Sequence, residues 1–286
     1  MRGRLAPTPS GHLHVGHART FAVARDRATG GLVLRIEDLD RPRCRPEFVT
    51  SAVEDLAWLG FAWVEGPDVG GPHGPYVQSE RGGWHLEVWR RLEAAGAIYP
   101  SPHSRRDVEA AASAPQEPRS NEEPEEPVFP PHLRPRSWER ATQPGGVAWR
   151  FRVPDGRVIA FDDGRAGRVA RTAGVDFGDF VVWRRDDLPA YELAVVADDH
   201  AMQIDEVVRG ADLLTSTARQ ILLYESLGWR IPAFYHVPLV RDARGQRLAK
   251  RAGGLSIREL RERGCTPTDV LESPLSGLGL AADREA

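Results

Sequence analysis

The chain has 286 residues, with 38 basic and 41 acidic side chains, a net charge of −3 and 41% apolar residues; this suits one large domain or two modest ones around a sizeable core, and so small a net charge leaves nucleic-acid binding open, because local patches outweigh the sum. Two distant cysteines, Cys44 and Cys265, exclude a disulfide framework and a four-thiolate metal site. No apolar run approaches the roughly eighteen residues of a membrane span, and the opening MRGRLAPTPSG lacks the apolar core of a signal peptide, so a reduced, cytoplasmic setting without a membrane is expected.

In chain order, residues 4–6 read as a short strand stopped by Pro7 and Pro9. The loop TPSG leads into a helix from His14 or Gly16 to Thr29, ended by Gly30 and Gly31. LVLRI, residues 32–36, is an apolar strand of the kind buried in a parallel sheet. Strand, glycine-bearing loop, helix and strand make a βαβ unit. Helices follow over residues 45–59 and 79–95, separated by a Gly/Pro-rich loop. Residues 113–135, rich in proline and glutamate, read as a mobile or extended insertion. Strands at 147–153 and 158–161 flank Pro154-Asp155-Gly156, a hairpin signal. The pattern then returns to α/β: strand 179–183, helix 191–202, strand 206–209, helix 215–227 capped by Gly228, strand 234–240, and one or two short helices after Ser256. The two α/β sections are expected to share one sheet.

A glycine loop opening onto a helix N-terminus suits an anion, because unpaired backbone N–H groups and the helix dipole both favour phosphate. Pro7, Gly11, His14, Gly16 and His17 occur there in order. Histidine can donate to phosphate oxygens, and Gly16 would admit a flat nucleotide ring close to the backbone. Taken singly, His14 and His17 also read as surface residues near a turn. RLAK, residues 247–250, lies in a cationic stretch after a strand. It suits a mobile clamp for charge developing on phosphoryl oxygens, or, alternatively, a solvated basic loop.

RLAPTPSGHLHVGH resembles the opening of the glutamyl-tRNA synthetase branch of the class I aminoacyl-tRNA synthetases, with HVGH similar to that class's HIGH signature. The resemblance continues through RIEDLDRPR (35–43), EGPDVGGPHGPYVQSER (65–81), AYELAVVADDHAMQIDEVVRGADLL (190–214) and TARQILLYESLGW (217–229). RLAK stands where the family has KMSKS, with Arg247 and Ala249 departing from that pattern. The implied fold is α/β: a Rossmann-type class I catalytic domain with an inserted α+β segment, a small C-terminal helical stem-contact region and no anticodon-binding domain. The implied division is 1–98 and 175–240 for the two Rossmann halves, 99–174 for the insertion, and 241–286 for the KMSKS-like loop and terminal helices.

The resemblance implies ATP-binding by Pro7, Gly11, His14, Gly16, His17, Leu248 and Lys250, with His14, His17 and Lys250 catalytic. It implies a glutamate pocket of Arg4, Ala6, Thr8, Glu37, Tyr191 and Arg209. Arginine's planar fork suits a side-chain carboxylate, and Glu37 suits an ammonium. Read alone, Glu37 equally pairs with Arg35 or Arg41, and Arg209 with Asp205 or Asp212. Asp198-Asp199-His200 is taken as structural or substrate-shaping, since adjacent carboxylates on a helix point different ways; Mg²⁺ is expected to arrive with ATP. Relatives that hold zinc use Cys-x-Cys and Tyr-x3-Cys, whereas this chain has Ser101, His103, Phe129 and Leu133 there, so no structural zinc is expected. The short stretch after RLAK resembles the branch that transfers glutamate to queuosine in the tRNA(Asp) anticodon stem-loop. A monomer is expected, with Arg134, Arg136, Arg140, Arg168 and Arg171 as candidate RNA contacts or solvated residues. The alternatives are a minimal glutamate-activating ligase with another acceptor and a non-catalytic RNA- or synthetase-binding paralogue.

Overall fold

The computed structural model describes residues 1–112, 127–242, 256–273 and 280–282. Strand β1 (Gly3–Leu5), helix α1 (Val15–Arg27) and strand β2 (Leu32–Leu34) form the expected βαβ unit, with β1 and β2 parallel. Leu5, Ala18, Leu32 and Leu34 are buried between them. Next come α2 (Pro46–Trp58), opened by proline at its first turn where a missing N–H costs nothing, and α3 (Gly82–Ala94). The chain continues through β3 (Ile98–Ser101), α4 (Arg105–Ala112), β4 (Ala148–Phe151), β5 (Val158–Asp163), β6 (Gly167–Thr172) and β7 (Phe180–Trp183). It closes with α5 (Tyr191–Ala201), β8 (Glu206–Gly210), α6 (Leu214–Leu227), β9 (Ala233–Val237), β10 (Val240–Asp242), α7 (Ile257–Glu262), α8 (Pro267–Leu271) and β11 (Leu280–Ala282).

β8 and β9 run parallel, and β8 also lies against β1, where the carbonyl of Arg2 accepts from the amides of Asp205 (2.8 Å) and Glu206 (3.3 Å). The two α/β sections therefore meet edge to edge through the first strand. Gly228 takes the left-handed conformation (φ 66°) that ends α6, as its sequence position predicts.

Three features depart from the sequence reading. Pro154-Asp155-Gly156 does not join a hairpin, because β4 pairs with β3 and β7, whereas β5 pairs with β6. The hairpin lies one strand later, where Asp163 Oδ1 accepts from the amides of Arg165 (3.0 Å) and Ala166 (2.8 Å) and folds the β5–β6 turn. The sheets also cross the expected division at 174: β7 joins the β3–β4–β7 sheet of the insertion, while β5 and β6 extend the sheet of β9 and β8. Finally, residues 127–135 of the expected mobile stretch are folded, and Phe129 is buried against Tyr99 and Val108.

Arg134 is the fastener of that segment. Its guanidinium binds Asp179 through Nε and Nη2, both at 2.7 Å, and reaches Asp155 at 2.5 and 2.8 Å. Asp179 also accepts from the Tyr99 hydroxyl (2.5 Å) and the Val153 amide (2.9 Å). Burial raises the Tyr99 pKa, and Asp179 raises it further, so the phenol stays a donor. Among the described residues, no group of three His, Cys, Asp or Glu side chains could hold a metal ion, and no helix is long and apolar enough to cross a membrane.

Replacing Arg134 by Met is expected to lower the unfolding free energy by roughly 3 kcal/mol, since it strands a buried carboxylate. EDTA should leave the parent's urea midpoint unchanged. A chelator-sensitive midpoint, or an R134M protein as stable as the parent, would contradict the ion-pair fastener.

Candidate active site

The loop between β1 and α1 threads under the end of β2. The carbonyl of buried Pro7 accepts from the Glu37 amide (3.0 Å), and that of Pro9 from the Arg45 amide (3.2 Å). Ala6, Thr8, Gly11, His14, Gly16 and His17 are all partly exposed along this loop and helix mouth. His14 is the N-cap of α1, in extended conformation, and its Nδ1 accepts from the Gly16 amide at 3.1 Å. His17 reciprocates: its Nδ1 accepts from the His14 amide at 3.2 Å. The rings lie 3.7 Å apart between centroids.

This capping fixes the tautomers. Each Nδ1 lone pair is taken by a backbone N–H, so each ring carries its proton on Nε2 and presents a donor. Gly16 suits the same geometry, because a Cβ there would sit 3.0 Å from the His14 ring, which would have to give by a few tenths of an ångström. Ser256 bridges to His14 from the other direction, and the Ile257 amide donates to the Leu13 carbonyl at 2.8 Å. Leu248 and Lys250, with Arg247 and Ala249, lie outside the described residues, but the described residues on both flanks of that stretch meet at this corner.

A second group of side chains gathers at the carboxyl ends of β1, β2 and β8. Arg35 is fully buried; its Nη1 donates to Asp199 Oδ1 (2.7 Å) and its Nη2 to Glu37 Oε1 (3.0 Å). Burial alone would lower its pKa, but Asp199 and Glu37 outweigh that and raise it. The same Asp199 oxygen lies 3.6 Å from Arg4 Nε, while Arg4 Nη1 donates to the Val208 carbonyl (2.7 Å). Burial pushes Glu37 up in pKa, with Arg35 and Arg4 opposing it. Asp198 faces the other way, accepting from Arg81 Nε (2.6 Å) and Gln78 Nε2 (2.9 Å) and meeting His85 (3.0 Å). The adjacent carboxylates thus serve separate networks, as their helix spacing requires.

Arg209, only 5% exposed, pairs with neither Asp205 nor Asp212. Its Nε donates to His236 Nε2 (3.2 Å), and its Nη2 donates to the Thr217 hydroxyl (2.7 Å). Its Nη1 is buried with no hydrogen-bond partner. Tyr191 at the start of α5 is within electrostatic reach of Arg209, Glu37 and Arg4. Four of the six expected pocket residues (Arg4, Glu37, Tyr191 and Arg209) therefore share one electrostatic neighbourhood, with Ala6 and Thr8 on the adjoining loop.

Asp163 and His236 escape the sequence reading. Asp163 Oδ2 lies 2.7 Å from His236 Nδ1, which fixes the proton there and leaves Nε2 to accept from Arg209. Burial lowers the His236 pKa and Arg209 lowers it further. Burial would raise Asp163, but hydrogen bonds from the Ala166 amide and His236 lower it. Asp163 and His236 occupy inward positions of the alternating strands β5 and β9. That alternation is visible in the sequence; the pairing of the strands is not.

The candidate RNA arginines are mostly engaged. Arg134 forms the fastener, Arg140 binds Glu93, Arg168 binds Asp162, and Arg171 reaches Thr215.

Residues 1–285 match the family model of class I tRNA synthetases (E and Q), catalytic domain. A glutamyl-Q tRNA(Asp) synthetase of Symbiobacterium thermophilum is 48% identical over 96% of this chain and 86% of its own length. One from Nitratidesulfovibrio vulgaris is 45% identical over 94% and 84%. The crystal structure of glutamate-tRNA synthetase from Elizabethkingia anophelis superposes with a TM-score of 0.72 at 29% identity, covering 93% of this chain. The chain spans about half of that synthetase, 54% of its length.

The ring assignments are testable by ¹⁵N NMR: His14 and His17 should show the Nε2–H form, and His236 a neutral Nδ1–H form. Because folding favours neutral His236, its contribution to stability should be complete above the unfolded value near 6.5. That contribution should decline as pH falls from there through the lower folded value. Protonation of His236 at or above pH 6.5 would contradict the assignment.

Proposed function

The chain belongs to the class I tRNA synthetases for glutamate and glutamine, matching their catalytic domain, and from that premise we propose that it activates glutamate with ATP and transfers it to the queuosine base in the anticodon loop of tRNA(Asp). The similarity to two glutamyl-Q tRNA(Asp) synthetases at 45% and 48% identity favours this acceptor. The observation that carries the choice of amino acid is Arg209. A buried guanidinium hydrogen-bonded only to neutral groups, with its Nη1 unused, is an incomplete ion pair that an anionic side chain completes.

In this reading Arg209 and Arg4 grip the side-chain carboxylate, Glu37 meets the ammonium group, and Tyr191, Ala6 and Thr8 wall the pocket. ATP lies along Pro7, Gly11, His14, Gly16 and His17, and Leu248 and Lys250 complete the set of ATP-binding residues. Mg²⁺ arriving with ATP neutralises phosphate charge and is held mainly by the phosphates. A glutamate α-carboxylate oxygen attacks the α-phosphorus, and the bond to pyrophosphate breaks. The His14 and His17 Nε2–H groups and the α1 N-terminus stabilise the charge gathering on the phosphoryl oxygens. A queuosine hydroxyl then attacks the acyl carbon and AMP departs. Neither histidine has a lone pair to spare, so the hydroxyl proton leaves to the adenylate phosphate or water. The enzyme works as a cytoplasmic monomer in this reading, a setting compatible with two cysteines that form no disulfide with each other.

ATP–pyrophosphate exchange should proceed with glutamate and without RNA. Absence of exchange would overturn the proposal, and equal charging of tRNA(Asp) with and without queuosine would reject the acceptor. Arg209→Ala should weaken glutamate use by about 2 kcal/mol, roughly thirty-fold, with little change in the KM for ATP. His14→Ala should slow adenylate formation while sparing glutamate binding. His236→Phe should raise the glutamate KM about tenfold, and His236→Gln, which keeps an acceptor for Arg209, should recover part of it.

A further inference from the structure

The loop between β1 and α1 is pinned on either side of His12. Upstream, the carbonyls of Pro7 and Pro9 accept from the Glu37 and Arg45 amides; downstream, the Leu13 carbonyl accepts from the Ile257 amide. His12 is tied down by its side chain. Its Nδ1 lies 2.8 Å from the Ser51 Oγ of α2, and its ring meets that of Phe48 edge-on at 5.0 Å. Ser51 in turn donates to Asp55 Oδ2, one turn further along α2, at 3.5 Å. Ser51 and Asp55 are buried, whereas His12 is partly exposed. The helix beneath is a firm base, because Ala52 and Leu56 of α2 share one apolar core with Leu13, Val15 and the α7 residues Ile257 and Leu260.

Asp55 gives this chain its direction. Burial pushes its pKa up to about 6, with His12, the Ser51 hydroxyl and the α7 residues Arg258 and Arg261 opposing the rise. Above that pH the carboxylate takes the Ser51 proton, which leaves Ser51 Oγ to accept from His12 Nδ1–H. A hydroxyl polarised in this way by a buried carboxylate is the better acceptor. His14, two residues on, caps α1 through its own ring, so backbone freedom at His12 is passed directly to the helix mouth. We infer that His12 is a positioning residue for ATP: held by Ser51, it fixes the backbone between Gly11 and His14, and with it the points at which the His14 and His17 Nε2–H groups meet the phosphates. This rests on the proposed ATP site and adds to it a residue that touches α2 rather than the nucleotide.

The test measures the Kd for ATP by calorimetry, which needs no turnover, together with the KM for ATP and for glutamate in pyrophosphate exchange, all on the full chain. His12→Ala should raise the Kd and KM for ATP about fivefold, the worth of one net hydrogen bond. The KM for glutamate should stay at the parental value, because Pro7 and Pro9 hold the upstream loop independently. Ser51→Ala should have the same effect, although Ser51 is buried in α2 and out of reach of ATP. The double variant should bind ATP no more weakly than either single one, as expected of a contacting pair. His12→Asn, whose amide reaches where Nδ1 does, should recover most of the loss. Parental ATP affinity in Ser51→Ala, or additive losses in the double variant, would overturn the inference and make His12 a direct ligand or a bystander. Equal rises in both KM values would overturn it as well, since they report a general loosening. A parent that binds ATP without exchange would overturn the proposed function alone, the positioning role then standing or falling on the Kd values; a parent that binds no ATP would overturn both.

Discussion

The site depends on one buried charge. Arg35 sits without solvent at the end of β2, and isolating a guanidinium there would be costly. Asp199 from α5 and Glu37 from the adjoining loop make its burial tolerable. Because Asp199 also lies beside Arg4, the same carboxylate ties the first strand, the second strand and a helix nearly two hundred residues away in sequence. The resulting alternation of cation and anion holds Arg4 and Glu37 in place before any ligand arrives. Preorganisation of this kind limits the ordering required on binding.

The N-terminal part of this arrangement is legible in the sequence. Prolines and glycines punctuate the loop, apolar residues mark β1 and β2, and the histidines fall at the helix mouth. Local rules suffice there because the contacts span few residues. They suffice less well where partners are remote. The sequence reveals a turn at Pro154-Asp155-Gly156 but not that β4 already has neighbours on both edges. β3 is obscured by its proline, which occupies a strand position despite lacking a donor. Glu37 is a recognisable strand-end charge whose pairing with Arg35 was one of the readings open from sequence. Asp163 and His236 become partners only once β5 and β9 run side by side, and no spacing rule brings positions 163 and 236 together.

The insertion illustrates how one constraint can be met by different chemistry. At the positions where the resemblance implies a metal-binding motif, Ser101 and Phe129 belong to a buried apolar and hydrogen-bonded cluster. Arg134 follows immediately after the aligned Leu133 and draws two carboxylates onto one fork. A metal centre fixes ligands by coordination; the guanidinium fixes Asp155 and Asp179 by charge and planarity.

The paired histidines impose a restriction of a different kind. With both Nδ1 electron pairs turned into the backbone of α1, each imidazole offers its Nε2–H as a hydrogen-bond donor and has no spare lone pair. They are therefore unsuited to ligating a divalent ion or to deprotonating an incoming hydroxyl. Chemistry at this corner must be driven by withdrawing charge from the phosphate, and any nucleophile has to supply its own reactivity.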